Sequence, residues 1–226
     1  MQFSKIDLKE PADRDKLLLA VTAIVFSVGV FGHLSNLARP LMLLLTPWML
    51  LSFGLLCVFL AWKDHGWAVL AWALPAYILT FILEALGTAT SAIFGAYTYG
   101  SVLGTLVFGV PPIIGFNWVI VVLACARIAR WRMRIHRPLL GSLVVGALCV
   151  AFDFALEPLA VALGYWTWTL GPIPLQNYAA WFIIAFFASL PLWRVSRAPR
   201  SLFPEGYLIV QTLFFILMRF GLALSA

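Results

Sequence analysis

Apolar positions in this chain fall in long blocks separated by short polar connections. Blocks at 17–37, 41–61, 67–86, 101–126, 138–163, 175–193 and 203–224 each hold close to the twenty or so residues that a membrane-crossing helix needs. The pattern predicts an all-α chain, a polytopic transmembrane helical bundle of about seven spans. No repeat of fixed period, low-complexity tract or interior linker interrupts it, so residues 1–226 are expected to form one integral membrane domain.

Two connections differ from the rest. Residues 87–100 (GTATSAIFGAYTYG) and 164–174 (GYWTWTLGPIP) carry no charge and are rich in Gly, Thr, Tyr and Trp. That composition suits partly buried, aromatic-lined re-entrant segments rather than solvated loops. Around the start of the fourth block, Gly100 and Gly104 read as a small-xxx-small pair that lets a helix pack closely, with Pro111 and Pro112 interrupting that helix.

Composition removes the soluble alternatives. With 63% hydrophobic and 11% charged residues, and a mean hydropathy of +1.00, the chain is not an ordinary soluble domain. Its net charge of +6 reflects membrane orientation rather than a nucleic-acid partner, because the cations sit in the connections. Lys5, Lys9, Arg14, Lys16, Lys63, the group Arg127, Arg130, Arg132, Arg134 and Arg137, and then Arg194, Arg197 and Arg200 all share one side. Only Arg39 and Arg219 fall near the other. The bias places the N-terminus in the cytoplasm and the C-terminus outside, in a cytoplasmic membrane, with the arginine-rich loops as anchors beside anionic lipid. The polar N-terminal stretch lacks the form of a secretory signal, so the first helix is expected to be retained.

The fifth block holds an anomaly. Asp153 and Glu157 are four residues apart and therefore share a helix face, just before the helix-breaking Pro158. A central acid in a membrane helix costs about 2.5 to 3.5 kcal/mol on insertion scales, so acids that persist there mark functional sites. Glu84, near the end of the third block, lies at a similar depth, roughly 10 to 12 Å outward of the midplane at about 1.5 Å rise per residue. Asp153 is nearer the centre. Three carboxyls sharing a low-dielectric site cannot all ionise, so at least one is expected to keep its proton and serve as a general acid. The structural alternative pairs them with Arg39, Asn117, Asn177 or backbone freed by Pro158.

Other chemistries find less support. His33, His65 and His136 form no cluster for di-iron work, and His33 reads as a hydrogen-bonded packing residue. Cys57, Cys125 and Cys149 have neither disulfide nor zinc spacing, so no metal site is indicated. The Asp-x-x-x-Glu spacing lacks the second acidic motif of a magnesium-diphosphate site. No Lys stands in the last span to hold retinal. The aromatic residues Phe94, Tyr97, Tyr99, Tyr165, Trp166 and Trp168 flank the acids, and such faces suit a cation made by protonating an alkene. Asn117 and Trp118 are placed to shape the floor of the same cavity.

At these residues the chain resembles the bacterial and archaeal carotenoid 1,2-hydratases. Glu84-Ala-Leu-Gly87-Thr88 followed by Phe94-Gly95-Ala-Tyr97-Thr-Tyr99, then Val110-Pro111 with Trp118, carry the first part of the resemblance. The run from Asp153 to Pro158, Gly164-Tyr-Trp166-Thr-Trp168, Gly171-Pro172-Ile-Pro174 and Asn177 carry the second. Two departures stand out: Glu157 occupies a position where the family commonly has Asp before Pro, and Ala180 precedes Trp181 where Gly is usual.

The resemblance implies a hydro-lyase that hydrates the terminal 1,2 double bond of an acyclic or monocyclic carotenoid ψ-end to a tertiary alcohol. It implies a lipophilic carotenoid as substrate, membrane lipid as surroundings, and no metal or redox cofactor. The residues themselves supply a route: Asp153 or Glu157 as acid, Glu84 orienting water or stabilising charge, and aromatic faces with Asn117 and Asn177 lining the site. Two alternatives remain open. One is a carotenoid end-group cyclase, which excludes water. The other is a proton-coupled carrier of a lipophilic substrate.

Overall fold

The computed structural model describes residues 10–194 and 199–225. Lys5, Lys9 and Arg197, counted above among the cations of one side, lie outside the described residues.

Seven helices follow one another: α1 (Pro11–Leu34), α2 (Arg39–His65), α3 (Trp67–Thr90), α4 (Pro112–Arg127), α5 (Pro138–Ala162), α6 (Leu175–Ser189) and α7 (Phe203–Ser225). A π-helical turn, Ile128–Arg132, prolongs α4, and a 3-10 turn, Leu190–Arg194, prolongs α6. Counting those turns, all seven are long and apolar enough to cross a membrane. The fold is a polytopic transmembrane helical bundle. Prolines open three of the spans, at Pro11, Pro112 and Pro138, where the missing N–H would have had no partner in the helix.

Helix α4 is the axis of the bundle. Every residue from Trp118 to Arg127 is buried, and the helix packs against α2, α3, α5, α6 and α7. A helix apolar on all sides is stable only when surrounded in this way. The lipid-facing helices, by contrast, expose Ile24, Leu44, Leu74 and Phe187.

The fourth block differs from its sequence reading. The helix begins at Pro112, and residues 101–111 form irregular chain with a tight turn at Phe108 and Gly109, both at positive φ. Pro111 and Pro112 therefore start α4 instead of interrupting it, because the residue before a proline is driven to extended backbone. Gly100 and Gly104 are outside any helix. A Cβ on Gly100 would stand 2.2 Å from the carbonyl oxygen of Gly164, so its lack of a side chain serves a contact between the two charge-free connections.

Those connections are tied together by two short strands, β1 (Tyr97–Tyr99) and β2 (Trp166–Trp168), paired antiparallel with Tyr97 opposite Trp168 and Tyr99 opposite Trp166. The chain leaves α5 through Gly164, in left-handed conformation at φ +72°, and the Gly100 N–H then donates to the Tyr165 carbonyl at 2.8 Å. The ladder lies at the end of the bundle where α3 and α5 finish and α4 and α6 begin.

A polar knot braces the opposite end. Arg127, buried at the last turn of α4, pairs with Glu205 of α7 at 3.0 Å and Asp64 of α2 at 3.5 Å, and donates to the Ser201 carbonyl. Asp15 of α1 accepts from the Leu202 N–H at 2.5 Å. Arg127 is thus no lipid anchor. Its charge is neutralised inside the protein, where four segments of chain converge.

Candidate functional site

Alternation along the two strands builds one wall of the site. Side chains of a strand point alternately to opposite faces, so Tyr97, Tyr99, Trp166 and Trp168 face inward while Thr98 and Thr167 face out and are exposed. The inward rings pack across the ladder, Tyr97 on Trp168 at 5.0 Å and Tyr99 on Trp166 at 5.8 Å between centroids. Their polar atoms project onto the acids.

Glu84, buried near the end of α3, accepts three hydrogen bonds. Tyr97 Oη and Tyr99 Oη donate to Oε2 at 2.5 and 2.8 Å, and Trp118 Nε1 donates to Oε1 at 2.8 Å. Glu157 is also served three times. Trp166 Nε1 and Trp168 Nε1 donate to Oε2 at 3.0 and 2.9 Å, and Asn177 Nδ2 to Oε1 at 3.3 Å. The tail of the fifth block therefore folds back over the acid that precedes it, while α5 runs on through Pro158 to Ala162.

Asp153 is held differently. It is fully buried, Asn177 Nδ2 donates to its Oδ2 at 2.7 Å, and its Oδ1 has no hydrogen-bond partner among the described residues. No ion pair of the described residues reaches the cluster. Arg39, a partner considered from sequence, donates instead to the His33 carbonyl at 2.8 Å. All donors to the three carboxyls are neutral phenols, indoles and one amide. These donors fix the orientation of Glu84 and Glu157, and no cation of the described residues pairs with either.

The three acids line one small cavity of about 30 Å³, with Phe94, Tyr97, Tyr99, Asn117, Trp118, Trp166, Trp168 and Asn177. That volume has room for a water molecule in a polar setting. Of the residues singled out from sequence, only Tyr165 stands outside this cavity. It is buried in the wall of a neighbouring apolar cavity of about 280 Å³, lined by α1, α2, α4, α5 and α7. The two cavities share Ile114, Asn117, Leu156 and Trp166 as common wall. Exposed Ile24 and Val28 of α1 and Leu45 of α2 also line the larger one, so it reaches the lipid-facing surface.

Sequence reasoning passed over two parts of the site. Trp181 stacks on Trp118 with centroids 3.8 Å apart and lines the acid cavity. Its four-residue spacing from Asn177 on α6 was the available signal. The larger cavity, with Met42, Met49 and Gln211 in its wall, draws on helices remote from every motif and left no such signal. Among the described residues no group of three or more His, Cys, Asp and Glu is placed to hold a metal ion.

Fold and site together define a polytopic helical membrane protein with a carboxyl cluster buried in its span, beside an apolar cavity that shares part of its wall. The chain matches the family of carotenoid biosynthesis proteins over residues 44–225 and belongs to that family. It is also 30% identical over 141 residues to the bisanhydrobacterioruberin hydratase of Haloarcula japonica, a match covering 57% of this chain. The match spans less than half of that protein's length, 44%. No solved structure matches the chain.

Proposed function

We propose that the protein hydrates the terminal 1,2 double bond of an acyclic or monocyclic carotenoid ψ-end, with Asp153 as proton donor. The observation that carries this reading is the buried Asp153 Oδ1, without a partner among the described residues and beside two carboxyls that are each served by three neutral donors. An alkene end entering from the apolar cavity past Leu156 meets this oxygen in a chamber with room for water.

The Asp153 O–H bond breaks as its proton adds to the less substituted alkene carbon, and the alkene π pair forms the new C–H bond. The resulting tertiary cation faces the Glu157 and Glu84 carboxylates and the Trp166, Trp168 and Trp118 rings, whose placement precedes the charge they stabilise. Water adds its lone pair to the cation, oriented by Asn117, which lines both cavities. The oxonium then returns one proton to Asp153, leaving a tertiary alcohol and the enzyme unchanged. On the cation distribution, the acid-bearing end faces outward in the cell membrane.

Expression in a lycopene-producing host, with pigment mass analysis in heavy-oxygen water, tests the reading. A product heavier by one labelled water is the expected outcome. An unlabelled ring isomer would make the protein a cyclase, and uptake into proteoliposomes without conversion would make it a carrier.

A further inference from the structure

Of the six oxygens of Glu84, Asp153 and Glu157, five accept hydrogen bonds, and only Asp153 Oδ1 has no partner among the described residues. A proton leaving a cation in this cavity therefore has one carboxyl oxygen not already engaged. That oxygen belongs to the proton donor. Donation and return through one group make the first step reversible wherever the cation is not captured.

Capture depends on little. The acid cavity, at about 30 Å³, has room for about one or two waters. Four residues line both it and the apolar cavity: Ile114, Asn117, Leu156 and Trp166. Ile114 and Leu156 carry no polar side-chain atom, and the Trp166 indole already donates to Glu157. Asn117 is half-buried, and its side chain makes no hydrogen bond to another described residue. Its amide oxygen is open to accept from a water O–H, which leaves the lone pairs of that water for the cation.

We infer that the protein has a second activity, in which it exchanges hydrogens at the terminal alkene with solvent and shifts the double bond by one carbon, with Asn117 setting the division between this and hydration. The cation has two exits. A water held on Asn117 adds its lone pair, and the alcohol forms. Otherwise a C–H bond on a carbon next to the cationic centre breaks, its electron pair forms the C=C bond, and the proton goes to Asp153 Oδ1. Loss from the carbon first protonated restores the original alkene with a solvent hydrogen in place of its own. Loss from a terminal methyl moves the double bond to the chain end. No oxidant, reductant or third reactant enters. The inference rests on the proposed acid chemistry of Asp153 and extends it to a reaction that consumes no water.

The full chain in lipid nanodiscs tests this with lycopene, in deuterium oxide and separately in heavy-oxygen water. Mass analysis follows deuterium in the recovered acyclic alkene and heavy oxygen in the alcohol. The wild type is expected to return deuterated alkene alongside labelled alcohol, an arm that needs no substitution. Asn117→Leu, close in volume but without the amide, is expected to raise the ratio of deuterated alkene to alcohol about tenfold, as loss of one hydrogen bond to the attacking water implies. Asn117→Gln keeps the amide and is expected to stay nearer the wild-type ratio. The ratio compares two products of one sample, so a lower folded yield does not move it. Alcohol with no deuterium in the recovered alkene, from wild type and Asn117→Leu alike, overturns the second activity and leaves hydration standing. An unchanged ratio in Asn117→Leu overturns the role of Asn117. Deuterated alkene without labelled alcohol from the wild type sinks the hydratase reading and leaves the exchange activity in place.

Discussion

Asn177 Nδ2 lies 2.7 Å from Asp153 Oδ2, bridging the first turn of α6 to the middle of α5. The bond fixes one oxygen of the carboxyl, while the other is buried without a hydrogen-bond partner among the described residues. Asn177 also touches Glu157 at 3.3 Å, so one amide sets the relative position of two acids from a neighbouring helix.

Replacing Asp153 by Asn keeps the shape and removes the transferable proton. General acid catalysis contributes about 10²- to 10⁴-fold, so kcat for Asp153→Asn is expected to fall within that range with the melting temperature nearly unchanged. Turnover measured in membranes decides it. Retention of more than a tenth of the activity would move the proton donor elsewhere.

Trp166→Phe and Trp168→Phe each delete one indole N–H from Glu157 and keep an aromatic ring in the wall. A hydrogen bond to a charged group is worth about 1.5 to 3 kcal/mol, and other donors can partly compensate, so about a tenfold loss in kcat is expected from each. The double variant is expected to lose more than either. Thr98→Ser and Thr167→Ser, on the outward face of the ladder, are the controls and are expected to leave kcat unchanged.

Gly100→Ala places a methyl group 2.2 Å from the Gly164 carbonyl oxygen, which is backbone and cannot swing aside. The strands are expected to separate, with loss of activity and of folded yield. Gly32→Ala meets only the Met42 side chain, at 2.6 Å, and a flexible methionine can move. Size-exclusion profiles of the two variants in detergent make the comparison, and equal yields would mean that the ladder tolerates the displacement.

Arg127→Met leaves Glu205 and Asp64 buried without their cation. Removing one partner of a buried ion pair costs about 3 to 5 kcal/mol, so a large drop in thermal stability is expected. Because the knot and the acid cluster occupy opposite ends of α4, KM of the folded fraction is expected to stay the same. A wild-type melting curve would contradict this role.

The spans and the acids were both legible in the chain because each has a local signature. Twenty apolar residues can be counted, and Asp153 and Glu157 share a face by spacing alone. The Glu84 depth followed from rise per residue, and the structure brings it into the same cavity as the other two. The start of α4 was misread because residues 101–111 are as apolar as a span. Hydropathy does not register that two prolines begin a helix rather than bend one.

Tyr-Thr-Tyr and Trp-Thr-Trp show where donors could alternate, but not that the two stretches pair, nor that the tyrosines serve Glu84 and the tryptophans Glu157. The burial of Arg127 among α2, α4 and α7, and the apolar cavity that shares Leu156 and Trp166 with the acid cavity, had no trace in any one segment. Hydropathy and helix spacing are properties of neighbours along the chain, so the chain displays them. A hydrogen bond between Trp118 and Glu84, or a cavity walled by five helices, depends on which surfaces pack together, and close packing decides that only when the whole bundle is assembled.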